Sequence, residues 1–330
     1  MKTYPLFIML PAFGLAGVSL GLHAAETSQA PKAETYLTVE TAGPDYLDQG
    51  EYANDWGGAQ VIALGEDRFR IVISKGGLPG AGWDGEPRTE VEGRRSGKQI
   101  LCTNEKNHWT YTIGEGVVTA KTDTGEVYTM KKVTRSSPSL GAKPPSNAVV
   151  LFNGGSKEPQ EWEGGHLNER GFLAAGCTSK RQFKNFHLHI EFLLPFKPLG
   201  RGQDRGNSGV YLQNRYEVQV LDSFGLKGEN NECGGIYSKA RPKVNMCFPP
   251  LVWQTYNIDF EAAKFDADGK RSNQAVVTIQ HNGVTIHEKL ALDGPTASGQ
   301  PESAAAGPFQ LQGHGNPVFY RNIWVVEKPQ

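Results

Sequence analysis

A strict two-residue alternation of apolar and polar side chains constrains this chain more than any other feature of its sequence. The run FHLHIEFLLP shows it most clearly, with one apolar face made of Phe186, Leu188, Ile190 and Phe192. Because successive side chains of a β-strand point to opposite faces, this period predicts a half-buried strand. Comparable runs continue to about residue 325, and no segment has the spacing of a long amphipathic helix.

Turn signals separate these runs and indicate how the strands connect. The pair Asn282-Gly283 lies between two alternating runs, which predicts a tight antiparallel hairpin. The chain also contains 40 Gly and 20 Pro residues, as expected of a protein with many turns. We therefore expect an all-β fold whose C-terminal part is a jelly-roll sandwich of two stacked sheets.

Changes in composition divide the chain into segments. Residues 134–148 are rich in Ser, Pro and Gly and have no strand period, so they are interpreted as a linker. Residues 35–133 before it alternate with frequent turns and predict a small all-β domain, whose role the sequence leaves open. Residues 149–330 after it hold the expected sandwich.

The first 25 residues have the layout of a secretory signal peptide. Lys2 precedes an apolar run from Tyr4 to about Leu22, and the small residues Ala24 and Ala25 follow it. An N-terminal membrane anchor is the alternative, because the apolar run approaches spanning length. The signal favours a periplasmic or secreted protein with no stable membrane span after cleavage.

Charge and cysteine content narrow the possible partners. Lys and Arg total 34 against 35 Asp and Glu, so no global field favours nucleic acid or an anionic surface. A neutral small molecule or oligosaccharide is the expected partner. In an oxidising compartment Cys233 and Cys247 could form a disulfide, and the spacing of the four cysteines does not favour a zinc site.

Polar side chains on the strand faces suggest a binding site. They are short or medium groups that make directional hydrogen bonds: His189, Glu191, Asn207, Tyr211, Glu217 and Gln219. Solvated strands more often carry Lys, Thr or Ser, whereas such groups on neighbouring strands form a groove suited to neutral polyhydroxyl ligands. The sequence therefore predicts sugar binding.

Further candidates lie close to these strands. They are Arg205, Ser208, Asp222, Tyr237 and His314. Asp222 ends a strand, so a turn could aim it into the groove or it could cap that turn. His314 lies between glycines and titrates near neutrality, so it could protonate a leaving oxygen, or it could be an exposed turn residue.

Six ordered blocks of sequence together resemble a known family. They are LFNG at 151–154, FKNFHLHIEF at 183–192, RGNSGVYLQNRYEVQVLDSFG at 205–225, GGIY at 234–237, WQTYNIDF at 253–260 and GPFQLQGHGNPVFYRNIWV at 307–325. The stretch from about 149 to 327 resembles the 3-keto-disaccharide hydrolase domain family, also described as 3-keto-glucoside 1,2-lyases or 3-keto-2-hydroxyglucal hydratases. The resemblance implies a concanavalin A-like jelly roll and chemistry on oxidised glucosides.

That chemistry gives the polar residues possible roles. A ketone at C3 acidifies the C2 hydrogen, so a base can remove it and the enolate can expel the glycosidic oxygen before water adds. Glu217 is the first candidate for the base, Glu191 and His189 are the next, and His314 is a candidate acid. A divalent metal ion, held by Glu217, His189 and Glu191, could stabilise the enolate oxygen.

The other candidates could hold the sugar. Asn207, Ser208, Tyr211, Gln219, Asp222, Tyr237 and Arg205 are the expected substrate-binding residues. Two other functions stay open from the residues alone: a non-catalytic lectin-like module, and a conventional glycoside hydrolase in which Glu191 and Glu217 are the paired carboxylates.

Overall fold

Strands form nearly all of the regular structure, so the all-β prediction is confirmed. A computed structural model describes residues 34–155 and 158–329, and the expected signal segment lies outside these described residues. The α-helix found within those two ranges has six residues, α1 Gly43–Asp48. No helix in this described part is long and apolar enough to cross a membrane.

The first eight strands close into an antiparallel barrel. They are β1 Gly50–Ala53, β2 Gly57–Gly65, β3 Arg68–Lys75, β4 Thr89–Ser96, β5 Gln99–Thr103, β6 Thr110–Gly114, β7 Val117–Lys121 and β8 Val127–Val133. Each strand pairs with the next, and β1 pairs with β8 in the register Glu51↔Val133. Closure leaves the ring without a free strand edge.

The barrel is filled by its own inward-facing side chains and has a second contact surface outside. Tyr52, Phe69 and Ile113 are among the fully buried residues that fill it. Strand β2 is buried along its whole length, although strand periodicity alone would bury only one face. Its outward residues Ile62 and Leu64 explain this, because they join a separate apolar cluster with a residue of the following domain.

Two further sheets follow the barrel along the chain. Their strands are β9 Val149–Phe152, β10 Trp162–Glu163, β11 Leu173–Ala174, β12 Cys177–Phe183, β13 Phe186–Leu193, β14 Ser208–Leu212, β15 Tyr216–Val220, β16 Gln254–Glu261, β19 Ala275–His281, β20 Val284–Leu292, β21 Gly307–Leu311 and β22 Phe319–Glu327, with a separate pair β17 Lys264–Phe265 and β18 Arg271–Asn273. The five-stranded sheet has the order β10-β12-β21-β14-β15. The seven-stranded sheet has the order β11-β22-β13-β16-β19-β20, and β9 pairs with β22.

The two sheets enclose one apolar core, which makes this part a β-sandwich. Val210 and Val218 from the smaller sheet join Leu188 and Ile258 from the larger one, all at most 1% exposed. The alternation predicted for β13 is present, since Phe186, Leu188, Ile190 and Phe192 all lie in this core. The apolar face of each strand therefore builds the core and leaves the opposite face for other contacts.

Residues 134–148 connect the barrel to the sandwich and contain no strand, yet they are held closely. Ser137 is 4% exposed, and its Oγ lies 2.6 Å from Thr255 Oγ1. Ser139 Oγ lies 2.9 Å from the same hydroxyl. This segment therefore covers part of the outer face of the seven-stranded sheet. The described residues, 34–155 and 158–329, form one compact unit.

The cysteines are buried free thiols in the structure, Cys233 and Cys247 among them. Cys233 Sγ lies 3.2 Å from Tyr256 Oη, inside the sandwich core. The possible disulfide between Cys233 and Cys247 is therefore not formed in the structure.

We expect Phe260→Ala to destabilise the sandwich strongly. The ring of Phe260 stacks on that of Phe186 with centroids 5.0 Å apart, and Phe186 meets Phe309 of the opposite sheet at 4.9 Å. Loss of a buried Phe ring costs about 3–5 kcal/mol, because the cavity cannot close fully. Urea unfolding measures this loss. The matched control is Val150→Ala on an exposed strand position, expected within about 0.5 kcal/mol of wild type. Equal losses in both variants would contradict the assigned core.

Candidate functional site

A cavity of about 190 Å³ opens on the outer face of the five-stranded sheet. Its lining is almost entirely polar and uncharged: Gln203, Asn207, Tyr211, Glu217, Gln219, Tyr237, Ala297, Ser298, Gln312 and His314. Pockets for drug-sized ligands have about 300–1,000 Å³. The volume of this cavity therefore suits one small polar molecule, such as a single sugar ring.

The hairpin of β14 and β15 builds the floor of the cavity. Its register pairs Tyr211 with Glu217 and Gly209 with Gln219. Residues between these, such as Val210 and Val218, point into the apolar core. Alternation along two paired strands therefore gathers the polar groups on one side.

A glycine makes room for the carboxyl group of Glu217. A Cβ added at Gly209 would lie 2.2 Å from Glu217 Oε1 and 2.9 Å from its Cδ. The side chain of Glu217 therefore lies directly over the bare backbone of the neighbouring strand. A larger residue at position 209 would displace the carboxyl group.

Glu217 is a buried carboxyl group without a counter-charge. It is 2% exposed, and none of the described Lys, Arg or His residues lies within ion-pair distance of it. Burial raises the pKa of Glu217 to about 7, and the hydrogen bond from Tyr211 opposes this only in part. Because low polarity around the group penalises its charged form, Glu217 can exchange a proton near neutral pH.

Two neutral groups contact the carboxyl oxygens. Tyr211 Oη lies 2.9 Å from Glu217 Oε2 and also 2.9 Å from the carbonyl oxygen of Ala297. The amide nitrogen of Gln219 donates to Glu217 Oε1 at 3.1 Å in the orientation that also satisfies the Ser208 carbonyl. These contacts orient the carboxyl group without adding charge.

Two loops fix the position of the hairpin. The backbone N–H of Glu217 donates to Thr296 Oγ1 at 2.9 Å. On the other side, the N–H of Tyr237 donates to the carbonyl oxygen of Glu217 at 3.1 Å, and the N–H of Gln219 donates to Gly235 O at 2.9 Å. The segment around Tyr237 therefore pairs with β15 and carries its ring into the cavity.

Asn207 offers the cavity an acceptor that no described residue occupies. Its Nδ2 donates to Gln203 O at 3.0 Å and to Gln203 Oε1 at 3.1 Å. Its Oδ1 is buried and has no hydrogen-bond partner. Because an unpaired buried acceptor is costly, this atom is suited to accept a hydrogen bond from a ligand hydroxyl.

Two residues lie at the opening of the cavity after β21. Gln312 is half-buried, and its Nε2 lies 3.5 Å from Tyr211 Oη. His314 is exposed. A ligand in the cavity would therefore have Glu217 beneath it and the exposed imidazole of His314 at its solvent side.

Six of the residues expected from the sequence share this cavity: Asn207, Tyr211, Glu217, Gln219, Tyr237 and His314. Three expected substrate contacts do not line it: Arg205, Ser208 and Asp222. Ser208 faces the sandwich core, where its Oγ lies 2.7 Å from Tyr320 Oη. Its strand parity places it opposite Asn207 and Tyr211, which explains this position.

Arg205 and Asp222 pair with each other beneath the cavity wall. Arg205 Nε donates to Asp222 Oδ2 at 2.7 Å. Both residues are buried, with Arg205 6% and Asp222 1% exposed. The other Asp222 oxygen accepts the N–H of Phe224 at 3.2 Å. Asp222 thus caps its turn, the alternative that the sequence left open.

Glu191 lies on the other sheet and does not converge with Glu217. Its Oε2 accepts from Arg321 Nε at 2.7 Å, and its Oε1 accepts from the N–H of Gly141 at 2.6 Å and Asn322 at 2.9 Å. Burial opposes ionisation of Glu191, but its hydrogen bonds outweigh burial and lower the pKa to about 2. Glu191 is therefore an anion at neutral pH, and its bond from Gly141 anchors residues 134–148.

His189 belongs to the same buried network. Its Nδ1 lies 2.7 Å from Asn257 Oδ1, and its ring stacks on Trp324 at 4.9 Å. His189 is fully buried and so is Glu191, 3.6 Å away. The expectation that these two residues share a groove with Glu217 is therefore not met.

Sequence reasoning missed four lining residues: Gln203, Ala297, Ser298 and Gln312. Gln203 and Gln312 lie outside strands, where no alternation marks them. Ala297 and Ser298 are small residues, and nothing in their side chains indicates a binding role in the sequence. The positive φ of Ser298 is visible only in the structure. Gln312 lies two residues before His314, with Gly313 between them, and this closeness to a candidate residue is the one signal that could have identified it.

Among the described residues, no three His, Cys, Asp or Glu side chains gather as a metal cluster. The cavity itself offers Glu217, His314 and the unpaired Asn207 Oδ1 as oxygen and nitrogen donors. This donor set is of the kind that a divalent cation accepts together with water. The expected metal ligands His189 and Glu191 are not part of it.

We expect Glu217→Gln to stabilise the protein at alkaline pH. The folded pKa of Glu217 is raised to about 7 from an ordinary 4.5, so its contribution to stability is complete below about pH 4.5 and is lost as the pH rises through 7. The variant should therefore exceed wild type by up to about 3 kcal/mol at pH 8 and match it near pH 4.5. Urea unfolding at both pH values measures this.

The control for that measurement is Glu163→Gln, an exposed glutamate of β10. It should shift stability by less than about 0.5 kcal/mol at either pH. A Glu217→Gln variant that is less stable than wild type at pH 8 would show that the carboxylate is stabilised in the fold.

Solved structures and a protein family are similar to this chain. A presumed glycosyl hydrolase from Parabacteroides distasonis ATCC 8503 is 34% identical, over 56% of this chain and 85% of its own, with a TM-score of 0.51. A second such protein from that organism is 17% identical over 56% of this chain and 95% of its own, with a TM-score of 0.40. None of the curated proteins is significantly similar.

The family match covers the sandwich and the whole cavity. Residues 147–326 match the 3-keto-alpha-glucoside-1,2-lyase-like domain. The barrel strands, which end at residue 133, lie outside that range. The family and the more similar solved structure both indicate a carbohydrate-active protein. Since the match spans more than half of the 330 residues, the chain belongs to the 3-keto-alpha-glucoside-1,2-lyase-like domain family.

Proposed function

We propose that this protein cleaves glucosides oxidised at C3, by removing the C2 proton, eliminating the C1 substituent and adding water. The observation that carries the proposal is the buried Glu217, whose pKa near 7 suits proton transfer at neutral pH. The cavity around it is lined by amides and hydroxyls, as a neutral sugar requires. Family membership supports the substrate class.

In the first step, the Glu217 carboxylate takes the proton from C2. The ketone at C3 accepts the electron pair as an enolate, and the C1–O bond then breaks. Water later adds its hydroxyl to C1 and its proton to C2, which yields the free 3-keto sugar and an alcohol. Glu217 is ready for this role because it has no cation to hold it ionised.

Tyr211 supports both protonation states of Glu217. When Glu217 is ionised, the Tyr211 hydroxyl donates to it across 2.9 Å. When Glu217 has gained the proton, it can donate to Tyr211 Oη, which then donates to the Ala297 carbonyl at 2.9 Å. The proton is thus accommodated without an unpaired buried group.

The leaving oxygen needs a proton, and His314 at the open side of the cavity is the group we assign to this task. It is exposed, so a proton that its imidazole donates can be replaced from solvent. The enolate oxygen needs donors, and the amides of Gln203, Gln219 and Gln312 line the same cavity.

A divalent metal ion is a further part of the proposal. In this alternative arrangement Glu217, Asn207 Oδ1 and His314 would hold the ion instead of transferring protons, and the ion would supply charge stabilisation to the enolate oxygen. We further propose that the protein acts after export, in the periplasm or outside the cell, on a soluble sugar or oligosaccharide. The apolar run at 4–22 supports this location.

The cavity lining favours elimination over conventional glycoside hydrolysis. Glycosidases usually place two carboxyl groups on either side of the scissile bond. Glu217 is the one carboxyl group among the described lining residues, and Glu191 is committed to Arg321 on the other sheet. A lectin would bind the same sugar but would have no need of a proton acceptor.

The decisive experiment incubates purified protein with 3-keto-trehalose, with methyl 3-keto-α- and β-glucosides, and with unoxidised trehalose, each with and without a chelator. We expect turnover of the keto sugars only, and ultraviolet absorbance of the enone intermediate.

The value of kcat/KM should rise from pH 5 to 8 with an apparent pKa of about 7, because the base must be ionised. Glu217→Gln should lose at least about 100-fold in kcat.

Cleavage of unoxidised trehalose would replace the proposal with conventional hydrolysis. Binding of the keto sugars without turnover, equal in wild type and Glu217→Gln, would indicate a lectin. Loss of turnover with chelator, restored by added Mn²⁺ or Ca²⁺, would support the metal.

We also expect Gly209→Ala to reduce turnover through Glu217. The added methyl group would occupy the space of the carboxyl group, 2.2 Å from Oε1. A displacement of about 1 Å from the reacting atom can cost about 100-fold in rate. The matched control is Gly114→Ala in the barrel, where the nearest atom is the flexible Gln99 Cγ at 3.3 Å. Unchanged kcat in Gly209→Ala would show that Glu217 is not the base.

A further inference from the structure

The wall of the cavity that carries Gln203 and Asn207 belongs to a loop, residues 196–207, which we call the wall loop. Its first residue is embedded in the barrel rather than in the sandwich. Phe196 is fully buried in the barrel core, and its backbone pairs with Tyr36 through bonds of 2.8 and 3.0 Å. Its ring meets those of Tyr36 and Tyr46 at 5.8 and 5.2 Å. The loop therefore starts from a fixed point on the barrel.

The middle of the wall loop also rests on the barrel, at the turn between β2 and β3. Arg201 Nη2 donates to the Leu64 carbonyl at 2.6 Å, and its Nη1 donates to Pro198 O at 2.6 Å within the loop. Leu199 lies against Gly65, where a Cβ would come within 2.4 Å of Leu199 Cδ2. Glycine at this position, with φ +77°, permits the close approach.

A short path leads from Arg201 to the cavity. Arg201 is followed by a 3-10 turn, Gly202–Asp204, in which the N–H of Asp204 donates to Arg201 O at 3.1 Å. Gln203 in this turn lines the cavity and accepts from Asn207 Nδ2 at 3.1 Å. The position of both amides therefore depends on the position of the turn.

A second support reaches the end of the wall loop from the same barrel strands. Ile62 and Val72 form an apolar cluster with Phe224, and all three are at most 1% exposed. Phe224 follows Asp222, which holds Arg205 in the buried ion pair of 2.7 Å. Arg205 directly precedes Gly206 and Asn207, so the chain of contacts ends at the unpaired Asn207 Oδ1.

We propose that the barrel braces the sugar-binding wall, with Ile62 and Arg201 as positioning residues that hold Gln203 and Asn207 in place. The inference rests on the proposed function, since it assigns to Ile62 and the barrel, which lie outside the family domain, a part in substrate binding by that site. The backbone of Glu217 is held by the pairing of its strand with β14 and by Thr296, and its carboxyl group meets the wall loop indirectly, through Gln219, whose amide lies 2.9 Å from Gln203 Oε1. Loss of the brace should therefore weaken binding more than chemistry.

The test compares two truncations of equal size in the barrel. Ile62→Ala removes the outward contact with Phe224, and Ile113→Ala removes an equally buried side chain on the inner face of β6. With 3-keto-trehalose, Ile62→Ala should raise KM about tenfold, with kcat within about twofold and the kinetic pKa unchanged. Ile113→Ala should lose stability to a similar extent and keep the wild-type KM.

Arg201→Ala should raise KM in the same way, and Arg201→Lys should restore part of the loss because Lys can still donate to Leu64 O.

A second readout does not depend on turnover. The amides of Asp204, Arg205 and Asp222 donate to carbonyls of the wall loop at 3.0 to 3.2 Å. Their hydrogen-exchange protection should fall in Ile62→Ala and stay at the wild-type level in Ile113→Ala. If wild type turns over no keto sugar, the proposed function fails and this exchange pattern alone decides the inference. Equal KM and equal protection in the two truncations would overturn the brace.

Discussion

Burial of one carboxyl group without a counter-charge is the constraint on which the candidate site depends. The 2% exposed Glu217 faces Tyr211 and Gln219, which orient it but do not neutralise it. Desolvation therefore sets its pKa near 7. The sandwich has to supply the free energy for this burial through its apolar core, and the same burial provides a base that works at neutral pH.

The fold class and part of the site could be predicted because strand alternation is a local property. The residues Asn207, Tyr211, Glu217 and Gln219 share one side of a hairpin, and the sequence period alone places them there. Ser208 was expected to contact substrate, although the same rule places it on the opposite face. Its side chain indeed faces Tyr320 in the core. Alternation states which face a residue occupies but not what covers that face.

Glu191 and His189 illustrate what the sequence cannot show. Their strand alternates as clearly as β15 does, so the sequence makes them the next candidates after Glu217. The difference comes from residues 134–148, whose Gly141 N–H binds Glu191 and turns the polar face into a buried structural network. That segment is distant in sequence and has a linker-like composition, so only tertiary contacts reveal that it packs there. Gln203 and Gln312 were missed because loops have no period to reveal their direction.

The closed ring of the barrel has a consequence for how this architecture can vary. Because all eight strands pair with one another, the barrel offers no edge with which to extend a neighbouring sheet. It meets the sandwich through protruding side chains and turns, such as Ile62 and Gly65, rather than through a shared ladder of backbone bonds. A few substitutions in such side chains and turns can change the contact between the barrel and the sandwich without changing the fold of either. Homologues with a different accessory body, or none, would then be expected to diverge first in the length and anchoring of the segment around Gln203.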